Sequence, residues 1–296
     1  MSKLSRKAIL AVLSLVLTFV ALGATTFAWF SLGTTATVEQ FNVNVKGSEG
    51  LEINFGGKDG WFTTLNSARM ADYITGTDGV FEGKRLEAVT TATGHDGFLK
   101  MAGLTGTSVN TIDAVANTDY LEFTLNFRTK LTNQTLNLTE LTLDSEGMTF
   151  EADTMFTNEG GTTINDLSGD VPSWEVFPHY GARVSLTGTE TTIFQSGATG
   201  TNIAYNLTRG AHDYVAKKSG LTGTLTAPDE GIITAVNGAS TATSFDDLVT
   251  FGTPADTDGY FYAEVVVRVW LEGWDGNTYD ALFDGSLQVS LAFGLQ

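Results

Sequence analysis

Oxygen-bearing side chains crowd two short stretches near the C-terminus, and the chemistry they suggest is capture of a hard cation. Glu272-Gly-Trp-Asp275-Gly-Asn277 is followed by Asp280 and Asp284, and Asp256-Thr-Asp258-Gly259 lies upstream. Calcium takes about six to eight oxygens from carboxylates, amide carbonyls and water. One loop carrying Asp275, Asn277, Asp280 and Asp284 is therefore the candidate calcium site. Neither stretch completes the EF-hand spacing. Asp, Asn and Gly are also the residues tight turns require, so solvated turn chemistry stands beside the metal reading. No other cofactor is implied.

Signals for catalysis are missing. The histidines, His95, His179 and His212, lie far apart, and none begins a His-Glu-x-x-His zinc motif. There is no Gly-x-Ser-x-Gly elbow and no phosphate loop. The chain has no cysteine, which excludes thiol chemistry. Each histidine reads as an ordinary loop or sheet residue, and the sequence points away from an enzyme. Asn133-Gln-Thr135, Asn137-Leu-Thr139 and Asn206-Leu-Thr208 match the glycosylation acceptor pattern, but a Thr-rich chain produces such matches by chance. Trp61, Trp174 and Trp274 fall in segments read as loops. There they could form a sugar platform or fill a core.

The elements that must position these residues begin with a leader. Ala8 to Phe30 carries no charge, is preceded by Lys3, Arg6 and Lys7, and the first acid is Glu39. A basic head before an apolar run is an export signal. Small residues at Gly23, Ala24 and Ala28 suit signal peptidase, which favours cleavage and a mature chain starting near residue 29. As one retained helix the same run would rise roughly 35 Å, enough to span a bilayer. Residues 1–28 are thus a signal peptide or an anchor, and the rest is expected outside the cell or on its surface. The net charge is −18, and it becomes more negative once the basic leader is gone. A phosphate backbone needs a basic footprint, so nucleic acid is excluded as a partner, and the membrane is met only through the leader. An exported chain without disulfides must be held by its core, by metal or by assembly.

The body reads as β throughout. Phe41, Val43 and Val45 alternate with polar residues up to Gly47-Ser48-Glu49-Gly50, and Leu51, Ile53 and Phe55 resume beyond it, the pattern of a half-buried hairpin. Leu121 to Phe127 alternates likewise, and so do Leu136, Leu138, Leu141 and Leu143. Tyr260 to Leu271 is dense in β-branched and aromatic residues, and Ser286 to Leu295 alternates to the end. One wet face suits antiparallel sheets. Short helices are expected at Thr64 to Tyr73, with Leu65, Ala68 and Tyr73 inward, and at Phe245 to Phe251, with Ser244 as N-cap. Residues 154–172 and 188–240 are rich in Gly, Thr, Ser and Asn and read as long loop insertions. The expected architecture is one all-β, jelly-roll-like antiparallel sandwich over residues 46–296, with residues 29–45 as an N-terminal arm.

Two segments carry a family resemblance. Gly23-Ala-Thr-Thr-Phe-Ala-Trp-Phe-Ser-Leu-Gly-Thr-Thr-Ala-Thr-Val, directly after a leader, resembles the start of the TasA and camelysin family of exported bacterial surface and biofilm-matrix proteins. Val267 to Asp275 with Leu287 to Phe293 is similar to tails of exported proteins from the same bacterial groups. The likeness covers about 60 residues at the two ends and none of the middle. It implies a jelly-roll subunit that polymerises by inserting an N-terminal strand into the next subunit. The residues give that idea an independent basis. A released arm bearing Val38, Phe41, Val43 and Val45 could add to an open sheet edge on an identical neighbour, and such a head-to-tail contact does not close on itself. The same strand could equally pair at home. The expected function is an extracellular filament subunit. A membrane-anchored module that binds glycans, or a pilin-like subunit retaining its helix, is the alternative.

Overall fold

The structure is a computed structural model that describes residues 41–296 apart from 153, 165–173, 197–205, 229–237, 240–244, 253–256 and 280–284. The leader, Val38, Asp256, Asp280 and Asp284 lie outside the described residues, and so does the Ser244 proposed as a cap. Among the described residues no helix is long and apolar enough to cross a membrane.

Strands dominate. In chain order they are β1 (Phe41–Gly47), β2 (Glu52–Phe55), β3 (Thr64–Leu65), β4 (Ala88–Thr90), β5 (Leu99–Thr105), β6 (Ser108–Asp113), β7 (Leu121–Thr129), β8 (Thr135–Asp144) and β9 (Met148–Phe150). There follow β10 (Phe156–Thr157), β11 (Thr163–Ile164), β12 (Trp174–Val176), β13 (Ala182–Thr187), β14 (Thr191–Gln195), β15 (Gly238–Ala239), β16 (Phe245–Thr250), β17 (Phe261–Glu272) and β18 (Leu287–Leu295). The described helices are α1 (Ser67–Ile74), α2 (Pro178–Gly181) and α3 (Gly210–Lys218).

A five-stranded sheet has the order β16-β8-β18-β1-β3. A nine-stranded sheet runs β15-β14-β13-β17-β4-β5-β6, and β7 pairs with both β17 and β2. The long β17 takes β7 along its first part and β4 at its end, with β13 on its other side. Inward residues of both sheets form one core: Val43, Leu138, Val289 and Leu291 from the small sheet, Ile53, Leu125, Val184 and Val267 from the large one. Phe127 and Phe293 meet across it with ring centroids 4.8 Å apart. Their alternation with polar residues puts a wet face outside each sheet, as an all-β sandwich requires. A second core gathers Phe150, Phe156, Tyr214, Val215, Trp274 and Tyr279 beside the sandwich.

Several sequence expectations are corrected. β1 and β2 do not form a hairpin. β1 belongs to the small sheet and β2 to the large one, so Ser48 to Leu51 carries the chain across the sandwich. Packed sheets lie about 10 Å apart, a gap a few extended residues can bridge. β7 and β8 part in the same way. Phe245 to Thr250 is strand, not helix. Asp247 takes a left-handed φ of 59° where the β16–β8 register shifts, and its N–H donates to Asn137 Oδ1. Leu248 in this irregular strand and Phe251 just beyond its end both reach the core, a spacing that imitates a helical turn. A bulge on β8 explains the three-residue step from Leu138 to Leu141. α1 starts later than expected, capped by Asn66, whose side chain accepts from Arg69 N–H. Met70 and Ile74 are its buried residues, while Ala68 is exposed and Leu65 belongs to β3. The supposed loop over residues 188–240 contains β14, buried along most of its length, and α3.

Candidate functional site

The N-terminal strand and its groove come first. Val43 and Val45 are 0 % exposed and sit in the main core. β1 runs parallel to β18 in an unbroken register from Phe41 opposite Leu287 to Gly47 opposite Phe293. On its other side β3 covers only Val45 and Lys46. Among the described residues no strand flanks Phe41 to Asn44 on that side. The turn that follows is pinned by Gly47 N–H donating to Thr63 O and Ser48 N–H donating to Phe293 O, both at 3.0 Å. Parallel neighbours need a crossover connection. Here the crossover is everything between β1 and β18. The two ends of the domain therefore meet side by side.

The expected calcium loop has a different occupation. Asp275 gives one carboxylate oxygen to Arg183 in a buried ion pair, with side chains 3 % and 1 % exposed. Its other oxygen accepts from Asn277 N–H at 2.8 Å and from Asn277 Nδ2 at 3.0 Å. Both oxygens of Asp275 are thus committed inside the protein, and a guanidinium supplies the positive charge a cation would have brought. Asp275 and Asn277, two of the four expected ligands, form an Asx turn locked by arginine. Among the described residues no cluster of three His, Cys, Asp or Glu side chains could hold a metal. Asp280 and Asp284 lie outside the described residues.

A buried polar network surrounds the same loop. Glu272 is fully buried, and burial raises its pKa. Its oxygens accept from Trp270 Nε1 and Trp274 N–H, both at 3.1 Å. Thr278 Oγ1 donates to Glu272 O at 2.8 Å, closing the loop. Arg183 Nη1 donates to Tyr180 O and Ala182 O, which ties the loop to α2. His212, on α3, lies against Trp274 with ring centroids 5.0 Å apart. Burial pulls its pKa down to about 4 against the opposing pull of Asp275, so it is neutral at neutral pH. Glu159 is pushed up to about 7, first by burial, then by Asp275, with Arg209 opposing. Its carboxylate fills the space a side chain on Gly276 or Gly210 would need. These groups hold the second core to the sandwich, which is a structural task.

The other histidines are also placed structurally. His95 is exposed in a turn beside Thr93. His179 Nδ1 lies 2.6 Å from Ser145 Oγ. Ser145 Oγ also accepts the His179 backbone N–H at 3.2 Å, so the serine fixes the start of α2. Asp144 Oδ1 accepts from Ser145 N–H, which orients the turn. Of the tryptophans, Trp274 is wholly buried in the second core and Trp174 is in β12, paired opposite Phe150. Trp274 thus fills a core, the second of the two readings, and Trp174 stands in a strand rather than a loop. Trp61 is half-buried, with the Arg128 guanidinium 4.5 Å from its ring centroid.

Sequence reasoning missed Arg183, the Arg128 stack and the burial of Glu272. The only signal was a charged residue inside a dense β run, and alternation normally sends such a residue to water. No family model, curated protein or solved structure matches the chain.

Proposed function

We propose that this chain is an exported structural subunit, jelly-roll-like in topology, that builds an extracellular filament by lending its first strand to the next copy. The observation that carries the reading is the seat of β1. A strand at the start of the described chain completes the small sheet beside the last strand, in parallel, with the whole domain between them. Its seat is the edge of β18, complete once β8 and β18 are paired, while β3 joins the sheet through β1 itself, so β1 is topologically free to dock last. A strand that docks last can be supplied by another molecule. The exchanged and home pairings bury the same Val43 and Val45, about 1.5–3 kcal/mol each. The difference between the two rests on the turn after Gly47 and on protein concentration. The resemblance of the leader region to the TasA and camelysin family points the same way, as do the acidic surface and the absence of disulfides.

The test uses the cysteine-free background. Lys46 and Ala292 are register partners on the outer face of β1 and β18. Lys46→Cys and Ala292→Cys are made as separate proteins, unfolded together, refolded as a mixture at high concentration and oxidised. Strand exchange yields a mixed disulfide between the two proteins, and electron microscopy of the same sample shows filaments. Home pairing in every molecule leaves both proteins uncrosslinked, and that result ends the proposal.

A further inference from the structure

We propose that the outer face of β2, β7 and β17 binds a neutral polysaccharide, and that this site is separate from the strand groove. The alternating residues of β7 turn Glu122, Thr124, Asn126 and Arg128 outward while Leu121 to Phe127 fill the core. Across three strands Glu52, Arg128 and Tyr262 stand in one row, and Asn54, Asn126 and Glu264 in the next.

The first row carries stacked rings. Arg128 lies 4.5 Å from the Trp61 ring centroid and 4.0 Å from that of Tyr260, and Lys130 lies 4.7 Å from Tyr260. Trp61 meets Tyr262 at 5.8 Å, edge to face. Glu52 accepts from Arg128 Nε at 2.5 Å and holds the guanidinium in the stack. Trp61 is held there by Asn54, whose Nδ2 donates to Lys58 O at 2.7 Å and Gly60 O at 2.6 Å. The platform is therefore prepared before any ligand arrives.

The second row opens into a cleft of about 450 Å³ lined by Gly56, Gly57, Asn117, Glu122, Asn126 and Glu264. A side chain on Gly57 would meet nothing within 4 Å, so the rim is open. From Arg128 to Glu122 the strand rises about 20 Å, room for several sugar rings end to end. Rings offer the apolar C–H face of a sugar a flat surface, and amides and carboxylates serve its hydroxyls. The carboxylates also choose the ligand. Glu52 and Glu122 are paired with Arg128 and Arg268, so the face, on a chain of net charge −18, offers phosphate and uronate polymers no cationic footprint. A neutral glycan remains, which suits a surface or matrix protein whether or not its strands exchange.

Affinity electrophoresis of the purified exported protein in native gels tests the assignment. The gels contain hydroxyethylcellulose, laminarin, mannan or glycol chitin, with polygalacturonate as the charged polymer. At least one neutral polymer retards the protein and polygalacturonate does not. Trp61→Ala weakens the retarding interaction about tenfold, and so does Asn126→Ala with Glu264→Ala, a pair outside the main core whose thermal melt is compared with wild type. Tyr180→Ala, an exposed ring elsewhere, has no effect. Absence of retardation by all four neutral polymers overturns the proposal, as does preference for polygalacturonate or retardation indifferent to both sets of substitutions. Each result is independent of the disulfide test for strand exchange.

Discussion

Removing the Asp275 carboxylate separates two readings of its loop. Asp275→Ala strands Arg183 beneath the loop, with only the carbonyls of Tyr180 and Ala182 still accepting from its Nη1. Both partners are almost fully buried, and Glu272, the acid that also acts on Arg183, has its pKa raised by burial, so the cost approaches that of an uncompensated charge rather than of a surface pair. Breaking such a pair from one side costs about 3–5 kcal/mol. For a domain of this size that is a fall in Tm of roughly 6–20 °C. Arg183→Met should fall in the same range, because it leaves a buried carboxylate instead. The double variant tests the pairing itself. With both charges gone, its loss should undershoot the sum of the singles by about 2–3 kcal/mol. Thermal melts by circular dichroism, in EDTA and again in millimolar calcium, read all four proteins. If Asp275 serves Arg183, the differences are the same in both buffers. Additivity within about 0.5 kcal/mol would refute the ion pair as the stabilising element. A calcium-dependent rise in wild-type Tm that Asp275→Ala abolishes would restore the metal site.

The same network sets a pH window. Glu159 has its pKa raised in the folded state, so its contribution is intact below the unfolded value near 4.5 and is lost as pH rises through about 7. Glu159→Gln should match the wild-type Tm near pH 4.5 and exceed it by a growing margin toward pH 8. His212 has the opposite sign. Its folded pKa of about 4 lies below the ordinary 6.5, so stability falls as pH drops between those values, and His212→Leu should flatten that acid limb in the same melts. Gly210 holds a φ of 61° against the Gly276 carbonyl and Glu159. Gly210→Ala should therefore cost about 1–3 kcal/mol in urea unfolding, and a neutral result would mean that α3 re-seats freely. Val45→Asp puts a charge where the side chain is 0 % exposed, and in the Lys46→Cys protein it should abolish any mixed disulfide with Ala292→Cys.

How much of this was legible in the chain follows from what alternation encodes. Period two states that a residue faces a core, and it does so for β7, β17 and β18 almost to the residue. It does not state which strand lies alongside. Phe41 to Val45 and Leu51 to Phe55 share a phase whether they pair across a turn or face each other across a sandwich, and the structure takes the second option. Bulges erased the signal elsewhere. Two extra residues around Asp247 turned a strand into an apparent helical turn. The partner of the acidic loop was hidden for a related reason. Composition gave the oxygens of Asp275 and Asn277, but the cation that satisfies them comes from Arg183, far away in the chain and hidden in a strand buried on both faces. Trp61 was legible as an aromatic near the surface, yet its partners Arg128 and Tyr260 come together only through sheet register.

The placement of β1 bears on when exchange can occur. Its ladder to β18 joins residues separated by nearly the whole chain, the costliest kind of contact to form early. β7, β8, β17 and β18 can complete both faces of the core while Val43 and Val45 are still in water. In that interval the groove is a template without its strand, and the edge left on β18 is a hazard unless something fills it. The turn after Gly47 keeps the home strand at high effective concentration, so after docking the monomer has a kinetic advantage. On the filament proposal, exchange therefore belongs to the moment of folding outside the cell, when neighbours are crowded and grooves are open. Purified, folded monomers should exchange slowly, and refolding at high concentration should give mixed disulfides that mixing alone gives only over long times. Equal yields from the two routes would mean that β1 leaves its groove as readily as it enters, and the order of docking would then have no bearing on assembly.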